Sequence, residues 1–205
     1  MQLAFSSNAY LDMPIEQAIS RVAGFGYTGI ELLADVPHAW PAGLLPVQKA
    51  SIRRAIDSSG LKISNINAFM MNAIADPRQP YWHPGWTDPD RHYRAIRREH
   101  TKRALRLAAE LGAPTISTEP GGELAEGQTR QQATDIFYDE IMPCLDVAAE
   151  VGVTLLIEPE PGCSSKNLGS IWSLPNGSTI RAWVSILISA MRIAWQRIRR
   201  NGCQK

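Results

Sequence analysis

From Leu3 to Glu158 the chain alternates short apolar segments with longer amphipathic ones, and Gly or Pro marks most junctions. This alternation constrains the fold more than any composition value does. Leu3 to Ser7, Gly29 to Leu33 (G-I-E-L-L), Leu61 to Phe69, Pro114 to Glu119 and Val153 to Glu158 read as strands. Pro14 to Val22, Pro46 to Ser59, Pro89 to Leu111 and Gln128 to Val151 read as helices, with Gly60, Gly112 and Gly152 as stops. Helices that link strands in this way predict a parallel sheet with right-handed crossovers. Five such strands suit either a doubly wound sheet or the first part of an eightfold barrel. The segment from Met70 to Asp88 is too long to be a simple connection, and loops of that length are functional or disordered.

Polar residues fall where the strands end: Asn67 after the third, Glu119 after the fourth, Glu158 and Glu160 after the fifth. In barrel enzymes that end is the working face, because the βα loops converge there. A carboxylate that follows Thr-Leu-Leu-Ile is costly to bury unless it is paired or binds a cation. Oxygen ligands of this kind suit Mg²⁺ or Mn²⁺, and Zn²⁺ once His is added. A strand-end Glu that caps a helix or pairs with an Arg fits the pattern equally well. His83 and Trp86 lie in the long loop, which can fold over a pocket as a lid or simply pack its own aromatics. His38, near Trp40, is open to either reading. His92 and His100, among Arg91, Arg94, Arg97 and Arg98, read as a solvated helix face. Phosphate-binding loops, dinucleotide glycine fingerprints and nucleophile elbows are absent from the sequence.

The net charge of +1 conceals a break. Residues 1–162 hold all 20 acids and 14 of the 21 bases, whereas residues 163–205 hold no acid, seven bases and Trp172, Trp183 and Trp195. The acidic first part argues against a nucleic-acid partner. Cys144, Cys163 and Cys203 show neither metal-type spacing nor a disulfide framework, and the sequence opens without a signal-like segment, so a cytoplasmic protein is expected. No stretch reads as a membrane span. The basic tail from Ile180 to Arg200 would suit an anionic membrane surface if it formed a helix, but a membrane partner is not the expectation.

The strings G-I-E-L-L, N-A-F-M-M-N (67–72), the run from Arg97 to Gly122 that ends S-T-E-P-G-G, and L-L-I-E-P-E-P-G (155–162) resemble the sugar phosphate isomerase/epimerase family. That family has the xylose-isomerase-like TIM barrel. The resemblance implies an α/β (β/α)8 barrel, of which residues 1–162 make about five βα units, with a divalent metal (Mn²⁺, Mg²⁺ or Zn²⁺) at its C-terminal face. It implies Glu158 as a metal ligand, completed by an Asp, a His and a Glu from the sixth, seventh and eighth strands. Glu158 and Glu160 are the catalytic candidates, and Asn67, His83, Trp86 and Glu119 the substrate-binding ones. The implied chemistry is proton transfer beside a carbonyl of a sugar or keto-polyol. A DNA-cleaving barrel of the same superfamily is a weaker alternative, and a non-catalytic binding fragment another.

After Gly162 the expected F-D-I-G-H strand is missing, and residues 163–205 read as an aberrant, out-of-frame tail. With one base lost at Gly162, codons compatible with this tail spell L-D-F-D-I-G-H-A-Y-C-V-A-K-D-P in the neighbouring frame. Met191 and Trp195 have single codons that end in G; before Gln196 that G forces a shifted Ala, before Arg192 it leaves only Ala or Glu, and both positions fall on an Ala of that hidden string. The chain is therefore expected to be an inactive fragment that binds metal weakly. Sequencing the gene through codon 162 should reveal L-D-F-D-I-G-H one frame away; a neighbouring frame without that string contradicts the reading.

Overall fold

The computed structural model describes residues 3–70, 72–74, 83–119 and 122–158. Five strands appear in it: β1 (Ala4–Ser6), β2 (Gly29–Leu33), β3 (Lys62–Asn67), β4 (Thr115–Thr118) and β5 (Thr154–Ile157). Between them stand α1 (Ile15–Gly24), α2 (Pro46–Ser59), α3 (Arg91–Leu111) and α4 (Arg130–Val151), with a short 3-10 turn at Ser7–Ala9. The strands pair in parallel and in chain order, β1-β2-β3-β4-β5. A doubly wound sheet would reverse direction from an internal strand, so this order is that of a barrel. Ser64 is an extra residue opposite β2, because Ile30 pairs with Ile63 and Glu31 with Asn65.

Helix limits follow local chemistry. Gly60, Gly112 and Gly152 take positive φ of 73°, 78° and 70° just past α2, α3 and α4, where a Cβ would be strained. α3 begins two residues after Pro89 because the Asp90 carboxylate accepts from the His92 N–H and caps the first turn. α4 begins after Thr129, whose hydroxyl accepts from the Gln132 N–H while the Gln132 side chain accepts from the Thr129 N–H.

All four helices pack on one face of the sheet. Ile30 and Leu32, Ile63 and Ile66, Ile116, and Leu155 and Ile157 meet Ile19 and Val22 of α1, Ile52 of α2, Leu105 and Ala108 of α3, and Ile141 and Cys144 of α4. The opposite, inner face carries the alternate residues. There Asn65 Nδ2 donates to Glu31 Oε2 at 2.8 Å and to Ser117 Oγ at 2.9 Å, and Thr115 Oγ1 donates to Asn65 Oδ1 at 2.7 Å. Glu140 of α4 joins Arg94 and Arg98 of α3 across the helix layer. Among the described residues β1 pairs only with β2, and Leu3, Phe5 and Phe25 stay exposed beside it. Because Leu105 is wholly buried, Leu105→Ala should cost about 2–5 kcal/mol in reversible unfolding. A Met142→Ala change on the exposed side of α4 should stay within about 0.5 kcal/mol. Equal losses for the two variants would contradict this assignment of the core.

Candidate active site

Each strand hands its last polar residue to the same end of the sheet, and the ladder continues one bond past the strands. The N–H of Ala34 donates to Asn67 O, that of Ala68 to Ser117 O and that of Glu158 to Thr118 O, each at 2.8 Å. These bonds set Asn67, Glu119 and Glu158 in neighbouring positions at the ends of β3, β4 and β5. Asn67 is buried, and its Oδ1 accepts from the Phe69 N–H at 3.0 Å, which shapes the turn after β3. Glu158 is half-buried. Glu160 lies outside the described residues, as does the tail 163–205.

Glu119 has no exposed surface, and Arg97 Nη2 of α3 lies 2.7 Å from its Oε1. That nitrogen and the Glu119 oxygens do not meet the alignment of a directed hydrogen bond, so the 2.7 Å approach is an ion pair held by charge. Arg97 is itself fully buried and makes further bonds. Its Nε donates to Pro84 O at 2.7 Å and its Nη1 to Ala68 O at 3.4 Å. Burial pushes the guanidinium below its ordinary pKa, and the carboxylates of Glu119 and Asp35 oppose the shift. Asp35, just past β2, accepts from the N–H groups of Val36, Asn72 and Ala73 and anchors the turn after β3.

The histidines brace this face. His100 stacks on Trp40 with ring centroids 5.0 Å apart, and its Nε2 stands 3.1 Å from Ala68 O, so that nitrogen carries the proton. Burial first, then Arg97, brings its pKa down to about 3. The Nε2 of His38 faces Tyr10 O at 3.1 Å and Met13 O at 3.2 Å, which leaves Nδ1 to accept from the Ser7 hydroxyl. Burial holds the His38 pKa below its ordinary value, against the pull of both carbonyls and of Glu16. His83 is buried with Nδ1 3.1 Å from Asp88 Oδ2 and its ring at 4.2 Å from that of Tyr93. Trp86 is wholly buried on the helix side of the sheet, packs edge-on against Phe137 and donates from Nε1 to Thr118 Oγ1 at 3.1 Å. Its indole packs in the core, the second of the two readings that the sequence leaves open for this loop.

The reading of α3 as a solvated face is corrected for Arg94, Arg97 and His100, which are buried. The signal was present in the spacing: positions 94, 97, 101, 104, 105, 108 and 111 share one buried stripe of α3, and Arg97 lies within it. Asp35 was also missed, although it follows β2 as Glu119 follows β4. Among the described residues no three of His, Cys, Asp and Glu stand together as a metal site. Of the ligand set that the resemblance implies, the described residues hold Glu158. No helix among them is long and apolar enough to cross a membrane.

The sequence pattern of the xylose isomerase-like TIM barrel family matches residues 19–189. Xylose isomerase from Thermus thermophilus is 27% identical over 153 residues, which is 70% of this chain and 38% of that enzyme. Among solved structures, 3-keto-D-glucoside 4-epimerase from E. coli superposes with a TM-score of 0.61 at 17% identity, covering 80% of this chain and 57% of that one. The IolI protein with a bound zinc atom superposes at 0.58 and 15% identity, over 80% of this chain and 54% of that one. The structural likeness establishes the fold, and the chain spans 38% of the xylose isomerase and somewhat over half of the two solved structures.

The low pKa of His100 has a consequence for stability. Below about pH 6.5 the unfolded chain takes up a proton at this ring that the native fold refuses until about pH 3, so native stability falls as pH drops through that window. His100→Gln should flatten the pH dependence of the melting temperature between those limits. An unchanged profile would contradict a neutral, buried His100.

Proposed function

The chain belongs to the xylose isomerase-like TIM barrel family, and from that premise we propose that it descends from a sugar isomerase or epimerase that moves a proton beside a carbonyl. The observation that carries this reading is the placement of Glu158 at the end of β5, one ladder bond from Thr118, with Asn67 and Glu119 at the neighbouring strand ends. That face is where βα loops gather, and a half-buried carboxylate there is suited to hold or move a proton at a carbon next to a keto group. The two sugar enzymes among the relatives support a keto sugar or keto-polyol as substrate. The zinc-bound neighbour supports a divalent metal, which when bound would polarise substrate oxygens, with Glu158 as its ligand from the described residues. Glu160 is proposed as the second carboxylate. Asn67 and Glu119 would shape the floor of the site rather than its chemistry, since both are buried and engaged with their own neighbours.

The described residues hold one carboxylate of the metal set that the resemblance implies, and one carboxylate does not make the reaction, so the chain is proposed to be inactive by itself. Among the described residues β1 and β5 each pair on one side only, and strand edges of that kind favour association with other chains and poor solubility. The test uses two proteins: the chain as it stands, and a version with the reading frame restored after Gly162. Both are incubated with keto sugars and Mn²⁺ in D₂O. The restored protein should place deuterium on the carbon beside the carbonyl, and Glu158→Gln should lower that rate by about a hundredfold or more. The uncorrected chain should show no exchange. Full activity of the uncorrected chain, or of the restored protein carrying Glu158→Gln, would overturn the proposal.

A further inference from the structure

We propose that Arg97 is the positioning residue of the strand-end face: from α3 it ties the turn after β3 and the segment before α3 to the end of β4, and through β4 it fixes where Glu158 stands. Its guanidinium meets three separate stretches of chain, with Nη1 on Ala68 O, Nε on Pro84 O and Nη2 beside the Glu119 carboxylate. Glu119 directly follows Thr118, whose carbonyl receives the Glu158 N–H at 2.8 Å. The path from guanidinium to candidate acid is thus one ion pair, one peptide link and one ladder hydrogen bond. Arg97 and Glu119 are both fully buried, and a buried guanidinium is a poor choice for stability alone, because desolvation consumes much of the attraction. What Arg supplies that an apolar side chain does not is a planar fork able to reach several acceptors at once.

Asp35 and His100 complete the surroundings. Asp35 attracts the guanidinium and holds Asn72 and Ala73, while His100 donates to the same Ala68 carbonyl that Arg97 meets. The turn after β3 is therefore held from β2 by Asp35 and from α3 by two side chains one helical turn apart. This inference rests on the strand-end face being the working face, but its test needs no turnover, so it can fail separately from the sugar reading.

The test is amide hydrogen exchange on the purified chain, wild type against Arg97→Met/Glu119→Gln, which removes both charges together and spares the fold a lone buried ion. The expected result is exchange faster by about tenfold or more at Phe69, Met70, Gly85, Trp86 and Glu158, with α1 and α2 amides unchanged. Arg97→Lys should restore protection at Glu158, since an ammonium can still pair with Glu119, and leave Gly85 and Trp86 exchanging fast, since it lacks the fork. A uniform rise across the whole molecule, or no rise at Glu158, would overturn the proposal. Should the double variant fail to fold, Arg97→Lys decides it alone: equal protection of all five amides in that variant contradicts a role for the fork.

Discussion

The parallel ladder between consecutive strands is the constraint on which the rest of this structure depends. Its register turns alternate residues to one face, so Ile30, Leu32, Ile66, Ile116, Leu155 and Ile157 meet the helices while Glu31, Asn65, Thr115 and Ser117 form a polar inner row. A slip of one residue in any strand would expose the apolar set and bury the polar one. The same ladder runs one bond past the strands, and those last bonds carry Asn67, Glu119 and Glu158 to a common end. Fold and candidate site are therefore outcomes of one register.

Charge enters this frame at chosen depths. Between α3 and α4, the buried Arg94 and the half-buried Arg98 share Glu140 and so tie the two helices together. Deeper, Arg97 and Glu119 are buried beneath the strand ends, and their alignment matters more than their energy. His100 and His38, both kept neutral by burial, spend their ring N–H groups on backbone carbonyls of the turns after β3 and β1. The face that would carry the chemistry is thus backed by a layer of buried polar side chains, each assigned to a particular turn.

The strands and the helix stops were legible in the sequence because they rest on local rules: apolar runs such as T-L-L-I, and Gly60, Gly112 and Gly152 at positive φ. Helix starts were less so, since Asp90 and Thr129 cap one or two residues beyond the apolar-periodic limits that pattern alone suggests. Alternation alone did not give strand order, because barrels and doubly wound sheets share it; the family resemblance implied the barrel order that the pairing has. At the candidate site the strand-end carboxylates were visible from position, whereas the use of Arg97 was hidden. An Arg on a helix is ordinarily solvated, and only its place on the Ala104–Ala108 stripe marks it as inward-facing. Trp86 stayed open between a lid and a packed loop for a related reason: an aromatic in a long loop says nothing of which side of the sheet it will fill.

The central claim is that β5 pairs with β4 through to Glu158 and so brings that carboxylate beside the ends of β3 and β4. NMR scalar coupling across the hydrogen bond, from the Glu158 amide nitrogen to the Thr118 carbonyl carbon, tests it most directly. The account predicts that this coupling is observed together with those from Ala34 to Asn67 and from Ala68 to Ser117. Couplings at Ala34 and Ala68 with Glu158 bonded to a different carbonyl, or with its amide in fast exchange with water, would contradict it.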